Sequence, residues 1–418
     1  MGFSFGFTEE DLDSEEVGIT SHNNKQDAIQ SFTNPIDSAK VVTPPQLYTS
    51  KQLSQKLINT RISFESVKLA NGSTLYRREL FDVKHQLMAE DEQTIGNETT
   101  TQPQQKGQEF DILIGDTDED LRQGVYEGGL KSWECSFDLI DKLDCGTVQT
   151  FSNQQQSFDL IELGCGTALP SLYIFNKLIE SLSQQNGNGN GNGNGNGNGN
   201  GNSGRRVNIV LTDYNYEVLR LVTLPNVLIN WCLHALTAQQ LVQLQGRYTT
   251  VEEEETTTAK QRKDFSNVRP GEIDITTELI DAFNTWLDQN GITLSFVSGS
   301  WCRDFMNLVQ PLLNTTSDSL RLVLTSETIY SVDISPVISE ILLELVRPET
   351  SGANVDAVAL LAAKDIYFGV GGSISEFLSY LNKRNDQVAQ SGDSGFSWEV
   401  EKVQNSHLKR SIVTLKRA

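Results

Sequence analysis

The 418-residue sequence lacks several features that define whole classes of protein. It has no run of about 18 apolar residues, so it predicts no transmembrane helix. Its first residues, MGFSFGFTEEDLD, are acidic where a secretory signal peptide is basic, and no apolar segment follows them. The Ser or Thr at position 6 that favours N-myristoylation of Gly2 is also missing. We therefore expect no membrane partner and no lipid anchor.

Cysteine and histidine are scarce and scattered. The five cysteines show no CxxC spacing, which indicates reduced thiols in the cytosol or nucleus rather than a disulfide framework. The four histidines, His22, His85, His234 and His407, are too dispersed to predict a metal site.

Apolar residues are also in short supply, at 37% of the chain. The shortage is concentrated in three stretches. Residues 1–105 are rich in Gln, Asn, Thr and Ser and predict a low-complexity, mostly disordered extension. An Asn-Gly alternation at 186–202 and a polar stretch at about 249–270 predict solvated insertions. Residues 106–418, apart from these two insertions, are predicted to be one folded domain.

Acidic residues dominate the charge, which is −22, with about half of the excess before residue 128. A chain this acidic repels nucleic-acid phosphates and attracts basic proteins. The alternative interpretation, that the acidity only keeps the protein soluble, is equally consistent with the sequence.

Strands alternate with helices once these stretches are set aside. Phe158–Leu163 is an apolar run followed by a helical pattern over Leu169–Leu182, and Val207–Leu211 is a second buried strand before another helix. Three further apolar strands follow, and the closing segments SWEVEKV and SIVTLKR look like an antiparallel pair. The pattern predicts an α/β fold with a Rossmann-like, largely parallel sheet and ligand sites at the carboxyl ends of its strands. The C-terminal hairpin is typical of a methyltransferase sheet rather than a dehydrogenase sheet.

A glycine-rich turn, Glu162-Leu-Gly164-Cys-Gly166, follows the first of these strands directly. The glycines allow a tight turn and a close approach of the backbone to a ligand. A pyrophosphate loop would carry a third Gly where this chain has Leu169, and Glu162 would repel phosphate. A cationic ligand without phosphate fits better, so the turn favours S-adenosyl-L-methionine.

Two further strand ends carry polar and aromatic candidates. The second strand ends in Asp213-Tyr-Asn215, where a carboxylate can accept hydrogen bonds from ribose hydroxyls. The third ends in Gly299-Ser300-Trp301, whose indole can cover one face of an adenine. The alternatives are a helix N-cap for Asp213 and an ordinary core position for Trp301.

These segments resemble the histidine protein methyltransferase family of seven-strand enzymes. The matching segments are FSFGF at the N-terminus, VYEGGLKSWECSFDL at 125–139, IELGCGTALP at 161–170, LTDYNYEVLRLVTLPNVLINW at 211–231, GSW at 299–301, LTSETIY at 324–330 and YFGVGG at 367–372. They cover most of the chain from about residue 110 onward. One departure is Ala168, where many members of the superfamily carry Gly, and we expect its small side chain to leave binding intact.

The resemblance implies methyl transfer from S-adenosyl-L-methionine to an imidazole nitrogen of a histidine in a large-subunit ribosomal protein. It makes residues 106–418 the methyltransferase domain. It also implies that Trp133 and Glu134 line the cofactor cleft, with Ser326 and Glu327 at the end of the fourth strand. Glu327 and Tyr330 occupy the positions of an acidic–x–x–aromatic motif with which related lysine methyltransferases grip the substrate side chain.

In the predicted mechanism, Glu327 accepts a hydrogen bond from one imidazole nitrogen, and Tyr330 forms a wall beside the target. Both can instead belong to an ordinary turn. The glycine-rich run Tyr367–Ser373 either shapes the substrate entrance or is a plain connection. Two other functions stay open: a lysine methyltransferase of the same fold, and a non-catalytic cofactor-binding chaperone of a ribosomal protein. We expect a monomer in the cytoplasm and nucleus.

Overall fold

The computed structural model describes residues 32–95, 128–147, 156–187, 205–251, 260–264, 269–315, 319–347, 355–369, 371–390, 394–404 and 408–418. Residues Asn34–Ala418 form one compact unit, separate from Met1–Thr33, and all elements below belong to it.

The strands are β1 (Gln46–Thr49), β2 (Arg61–Lys68), β3 (Thr74–Arg78), β4 (Phe158–Leu163), β5 (Val207–Asp213), β6 (Arg247–Val251), β7 (Lys260–Asp264), β8 (Glu272–Asp274), β9 (Ile292–Ser298), β10 (Leu320–Ser326), β11 (Asp356–Lys364), β12 (Phe396–Lys402) and β13 (Arg410–Arg417). The helices are α1 (Pro35–Ser38), α2 (Ser50–Ser54), α3 (Leu80–Ile95), α4 (Glu134–Lys142), α5 (Leu169–Gly187), α6 (Tyr216–Ala235, with a π-helical segment at Leu219–Thr223), α7 (Ala238–Gln245), α8 (Thr277–Gln289), α9 (Arg303–Val309), α10 (Ser335–Val346) and α11 (Ile374–Gln390). A π-helical turn (Leu143–Thr147) continues α4, and short 3₁₀ turns (Gln55–Leu57, Gln310–Leu312) follow α2 and α9.

The central sheet has the strand order β1-β9-β5-β4-β10-β11-β13-β12. Strands β9, β5, β4, β10 and β11 are parallel, whereas β13 runs antiparallel to both β11 and β12. The predicted Rossmann-like sheet with an antiparallel C-terminal hairpin is therefore confirmed. An eighth strand, β1, extends it by pairing antiparallel with β9.

The apolar runs form central strands because both faces of the sheet are covered by helices. Every residue of β4 is buried, as expected for a parallel strand between two helical layers. Its side chains alternate between two cores: Leu160 belongs to the larger one, and Ile161 and Leu163 to the other.

Helix α6 has the length and apolar composition of a membrane span, but 83% of its apolar window is buried inside the protein. It packs against α5 and β3 as a core helix.

Residues 34–95 correct the expected boundary of the N-terminal extension. They contribute β1 to the central sheet, and β2 lies between β3 and β8 in a second, three-stranded sheet. Ile36, Leu53, Ile62 and Leu75 are almost completely buried. Composition missed these elements because their apolar residues come in short pieces that become buried only against distant parts of the chain.

The predicted insertion at 249–270 contains structure as well, because β6 and β7 pair as an antiparallel hairpin. Helix α5 extends through Asn186 and Gly187, the first residues of the Asn-Gly tract. The rest of that tract, the FSFGF segment and residues 96–105 lie outside the described residues.

Candidate active site

A cavity of about 1280 Å³ opens at the carboxyl ends of the parallel strands. Nine predicted site residues line it together: Trp133, Gly164, Gly166, Asp213, Ser300, Trp301, Ser326, Glu327 and Tyr330. Three others, Glu134, Glu162 and Asn215, are not among the lining residues.

The loop between β4 and α5 depends on its glycines. Gly164 has φ +63°, and a Cβ there would lie 2.7 Å from Cγ2 of Thr328. Gly166 has φ +50°, and a Cβ there would lie 3.1 Å from the backbone of Gly129. Ala168 adopts φ +55°, a left-handed conformation that costs a non-glycine residue about 1 kcal/mol. This conformation explains why a glycine suits the position that Ala168 occupies.

Asp213, at the end of β5, holds two backbone segments in place. Its Oδ2 accepts a hydrogen bond from the Gly166 N–H at 3.0 Å, and its Oδ1 accepts one from the Asn215 N–H at 3.0 Å. The Asn215 side chain in turn donates to the Gly128 carbonyl at 3.1 Å. Asn215 is buried and therefore connects the loop at Gly128 to the end of β5 from behind the cavity wall.

Glu162 lies beneath the glycine loop. It is fully buried, and its Oε2 accepts a hydrogen bond from the Ser171 N–H at 3.1 Å. Burial, with a smaller contribution from the negative charge of Asp213, raises the pKa of Glu162 to about 8. Its predicted contact with a cofactor stays a prediction.

An N-terminal segment forms part of the cavity wall, which the sequence analysis missed. Pro35, Ser38, Ala39, Lys40 and Val42 line the cavity. Ser300 Oγ accepts hydrogen bonds from the N–H groups of Val42 (3.1 Å) and Thr43 (3.0 Å). The Ser300 N–H donates to the Thr43 carbonyl at 2.9 Å, which completes the connection.

One pattern in the sequence predicts the start of the short helix in this segment. Asn34 caps α1 by accepting a hydrogen bond from the Ile36 N–H, and Pro35 occupies the first helical position. A helix start was therefore readable, although its place beside the cavity was not.

Glu327 follows β10 in a left-handed conformation, φ +59°, with its N–H bonded to the Ala362 carbonyl at 2.9 Å. Its side chain is only 9% exposed. Oε2 accepts a hydrogen bond from the Tyr367 hydroxyl at 2.6 Å. Oε1 has no hydrogen-bond partner among the described residues. One carboxylate oxygen is thus fixed by a hydrogen bond, and the other is a buried acceptor without one.

The surroundings of Glu327 keep its hydrogen-bond donor protonated. Burial and the negative charge of Glu327 raise the pKa of Tyr367, so its hydroxyl stays a donor. Burial, together with the same charge, raises the pKa of Cys135, so its thiol is not ionised to a nucleophile. Tyr367 and Cys135 were not predicted as site residues, although Tyr367 begins the glycine-rich run noted in the sequence.

Lys364, the last residue of β11, lies between the acidic and aromatic residues of this region. Its Nζ is 3.8 Å from Glu327 Oε1 and 4.0 Å from Glu134 Oε2. It also lies 5.0 Å from the ring centre of Trp133 and 5.8 Å from that of Tyr367. Glu134 is half exposed at the start of α4 and is not among the residues that line the cavity. Nothing in the sequence distinguished Lys364 from a surface lysine.

Comparison with known proteins gives two close relatives over the whole chain. Histidine protein methyltransferase 1 of Saccharomyces cerevisiae is 37% identical over 99% of this chain and 98% of its own length. The protein of the same name from Schizosaccharomyces pombe is 31% identical over 99% of this chain and 92% of its own. No protein-family model matches the sequence. Among solved structures, the O-methyltransferase TomG of Streptomyces achromogenes, in complex with SAM, aligns over 69% of this chain and 92% of its own at 8% identity, with a TM-score of 0.29.

Proposed function

The chain belongs to the histidine protein methyltransferase family, and from this premise we propose that it methylates a histidine of a large-subunit ribosomal protein, with S-adenosyl-L-methionine as methyl donor. The acceptor is an imidazole nitrogen. The observation that carries the proposal is the buried Glu327 carboxylate: its Oε1 has no hydrogen-bond partner among the described residues, and Glu327 lines the same cavity as the glycine loop.

The residues of the cavity fit S-adenosyl-L-methionine. Gly164 and Gly166 leave space where side chains would collide with neighbouring groups. The buried Trp301 Nε1 has no hydrogen-bond partner among the described residues, so it can donate to a heterocyclic ligand. These residues, with Asp213 and Ser300, would hold the cofactor, which supplies an electrophilic methyl group on a cationic sulfur.

Glu327 acts on the acceptor. An imidazole has a pKa of about 6.5 and is mostly neutral at pH 7, so its lone pair is available without a strong base. Oε1 accepts the N–H of one ring nitrogen, which fixes the tautomer and leaves the other nitrogen as the nucleophile. Tyr367 holds Oε2 and prevents the carboxylate from rotating, and Tyr330 forms a wall of the cavity. Positioning of this kind is the main requirement of an in-line methyl transfer.

The cavity mouth supports a protein substrate. Ile366, Phe368 and Leu408 line the cavity yet are 57%, 84% and 49% exposed. Apolar side chains exposed beside a site are typical of surfaces that bind another protein. The charge of −22 favours a basic partner, as ribosomal proteins are, over nucleic acid. We also propose a monomer that works in the cytoplasm and nucleus, where ribosomal proteins are made and assembled.

A label-transfer assay tests the proposal. Purified protein and methyl-labelled S-adenosyl-L-methionine are incubated with lysate from cells that lack this protein, and labelled bands are analysed by mass spectrometry. We expect label on a histidine of a large-subunit ribosomal protein. Label on lysine would support a lysine methyltransferase instead. Cofactor binding without any label would favour a non-catalytic chaperone.

A further inference from the structure

Lys364 gives the acceptor side of the cavity a positive charge of its own. Its ammonium lies near two carboxylates, of Glu327 and Glu134, and near the rings of Trp133 and Tyr367. Acidic and aromatic groups together are the surroundings that bind an ammonium ion well. The region that could bind the side chain of a substrate lysine therefore already contains a lysine of the protein.

The distances show that this lysine does not occupy the acceptor oxygen. At 3.8 Å from Glu327 Oε1 and 4.0 Å from Glu134 Oε2, Lys364 Nζ interacts through charge but lies beyond hydrogen-bond distance of both oxygens. Oε1 thus keeps its capacity to accept an N–H from a ligand.

We propose that Lys364 determines the specificity of the site for a neutral imidazole over a side-chain ammonium. This inference rests on the proposed function. A substrate lysine arrives protonated, since its pKa is about 10.4, and would be repelled by an ammonium held a few ångströms from the acceptor carboxylate. A neutral imidazole meets no such repulsion and can still donate its N–H to Glu327.

The other groups around Lys364 do not cancel this effect. Glu134 faces it from α4, Glu327 from the end of β10, and Tyr367 from the loop after β11. Arg410 lies opposite it on β13 and forms an ion pair with Asp138. Tyr367 and Cys135 are neutral because their pKa values are raised. The two carboxylates therefore face a cation already present, and a second cation would compete with it for the same partners.

Two substitutions separate charge from shape. Lys364→Met keeps most of the length of the side chain without the charge, and Lys364→Arg keeps the charge. Lys383→Met, at an exposed position of α11 outside the cavity, is the matched control. Each protein is incubated with labelled S-adenosyl-L-methionine and large-subunit ribosomal proteins from cells lacking the enzyme. The labelled proteins are hydrolysed, and methylhistidine and methyllysine are quantified.

We expect methylhistidine alone from the wild type, Lys364→Arg and Lys383→Met, and a ratio of methyllysine to methylhistidine at least tenfold higher from Lys364→Met. A Lys364→Met protein that binds the cofactor but keeps the wild-type ratio, or labels neither residue, overturns the inference. A wild type that labels lysine overturns both the inference and the proposed function. A wild type that binds the cofactor and labels nothing refutes the proposed function, and the inference with it.

The pH dependence of kcat gives an independent readout, measured on a peptide that spans the labelled histidine. The ammonium of Lys364 disfavours protonation of a bound imidazole. Removing its charge should move the acid limb of kcat to higher pH, by about half a unit or more. An acid limb that stays in place in Lys364→Met contradicts the inference.

Discussion

The two halves of the cavity satisfy their polar groups in different ways. On the glycine-loop side, Asp213 and Ser300 each accept hydrogen bonds from two backbone N–H groups. On the acceptor side, Glu327 has one oxygen without a hydrogen-bond partner among the described residues, and Lys364 approaches it only to 3.8 Å.

The glycine-loop side fixes the shape of the cavity, whereas the acceptor side keeps a polar group available for the reaction. Buried side chains that bind backbone amides fix the shape of a loop, because every such bond lost leaves a buried donor unsatisfied. A buried carboxylate oxygen without a partner is costly and persists only where a ligand or a cation compensates it. We therefore expect substitutions in the first half to weaken cofactor binding and substitutions in the second half to slow turnover.

The largest effect should come from Glu327→Gln. If Tyr367 keeps its bond to the amide oxygen, the amide NH₂ faces the substrate and donates where Oε1 accepted, which selects the wrong imidazole tautomer. We expect kcat to fall by about 10² to 10³, within the range for lost acid–base and positioning groups. The cofactor Kd, measured by calorimetry, should stay within about twofold.

Glu134→Gln is the matched control, because this carboxylate is half exposed and lies 4.0 Å from Lys364 Nζ, beyond hydrogen-bond distance. Its kcat should change only a few-fold. Equal losses of kcat in the two variants would contradict the proposal that Glu327 orients the acceptor imidazole.

Asp213→Asn should weaken cofactor binding on the glycine-loop side of the cavity. An amide group cannot accept from both the Gly166 and Asn215 N–H groups, so one bond is lost and the other loses its charge. Hydrogen bonds to a charged group contribute about 1.5 to 3 kcal/mol, so the cofactor Kd should rise about 10- to 150-fold. At saturating cofactor, kcat should stay close to that of the wild type. A variant with normal affinity and low kcat would reverse the proposed division.

The two sides of the cavity also differ in how much of their structure could be predicted from the sequence. Gly164, Gly166 and Asp213 are readable because a turn directly after a buried strand is a local pattern. The parallel strands are readable for the same reason, since each contains a short, largely apolar run, and the C-terminal hairpin is readable from the neighbouring segments SWEVEKV and SIVTLKR.

The acceptor side was only partly readable. Glu327 was predicted through its motif, but its contacts with Lys364 and Tyr367 join a different strand end and become visible only when the sheet is assembled. The wall at Val42 and Thr43 depends on a bond to Ser300, more than 250 residues away. β1 was missed because a strand of four residues carries too little periodicity.

Glu162→Gln should change how the stability of the protein depends on pH, and this effect can be measured without cofactor. The folded-state pKa of Glu162 is raised from 4.5 to about 8, so the folded state binds more protons than the unfolded state between these values. Stability from this group is fully present below pH 4.5 and is lost as pH rises through 8. Without cofactor, the variant should gain about 2 kcal/mol on the wild type in free energy of unfolding between pH 6 and pH 8, at about 1.4 kcal/mol per unit. Denaturant unfolding at both pH values measures the difference, and a constant difference would contradict the raised pKa.

Ser300→Ala should have the smallest effect, because it weakens only the attachment of the cavity wall at Val42 and Thr43. The variant loses the bonds from Val42 and Thr43 but keeps the bond from its own N–H to the Thr43 carbonyl. A loss of about 1 kcal/mol predicts a cofactor Kd about fivefold higher, with kcat unchanged. Ser339→Ala is the control, since that buried hydroxyl donates to the Ser335 carbonyl within α10. If Ser300→Ala left the cofactor Kd unaltered, residues 34–45 would line the cavity without contributing to cofactor affinity. The glycine loop and Asp213 alone would then fix the shape of the cofactor side.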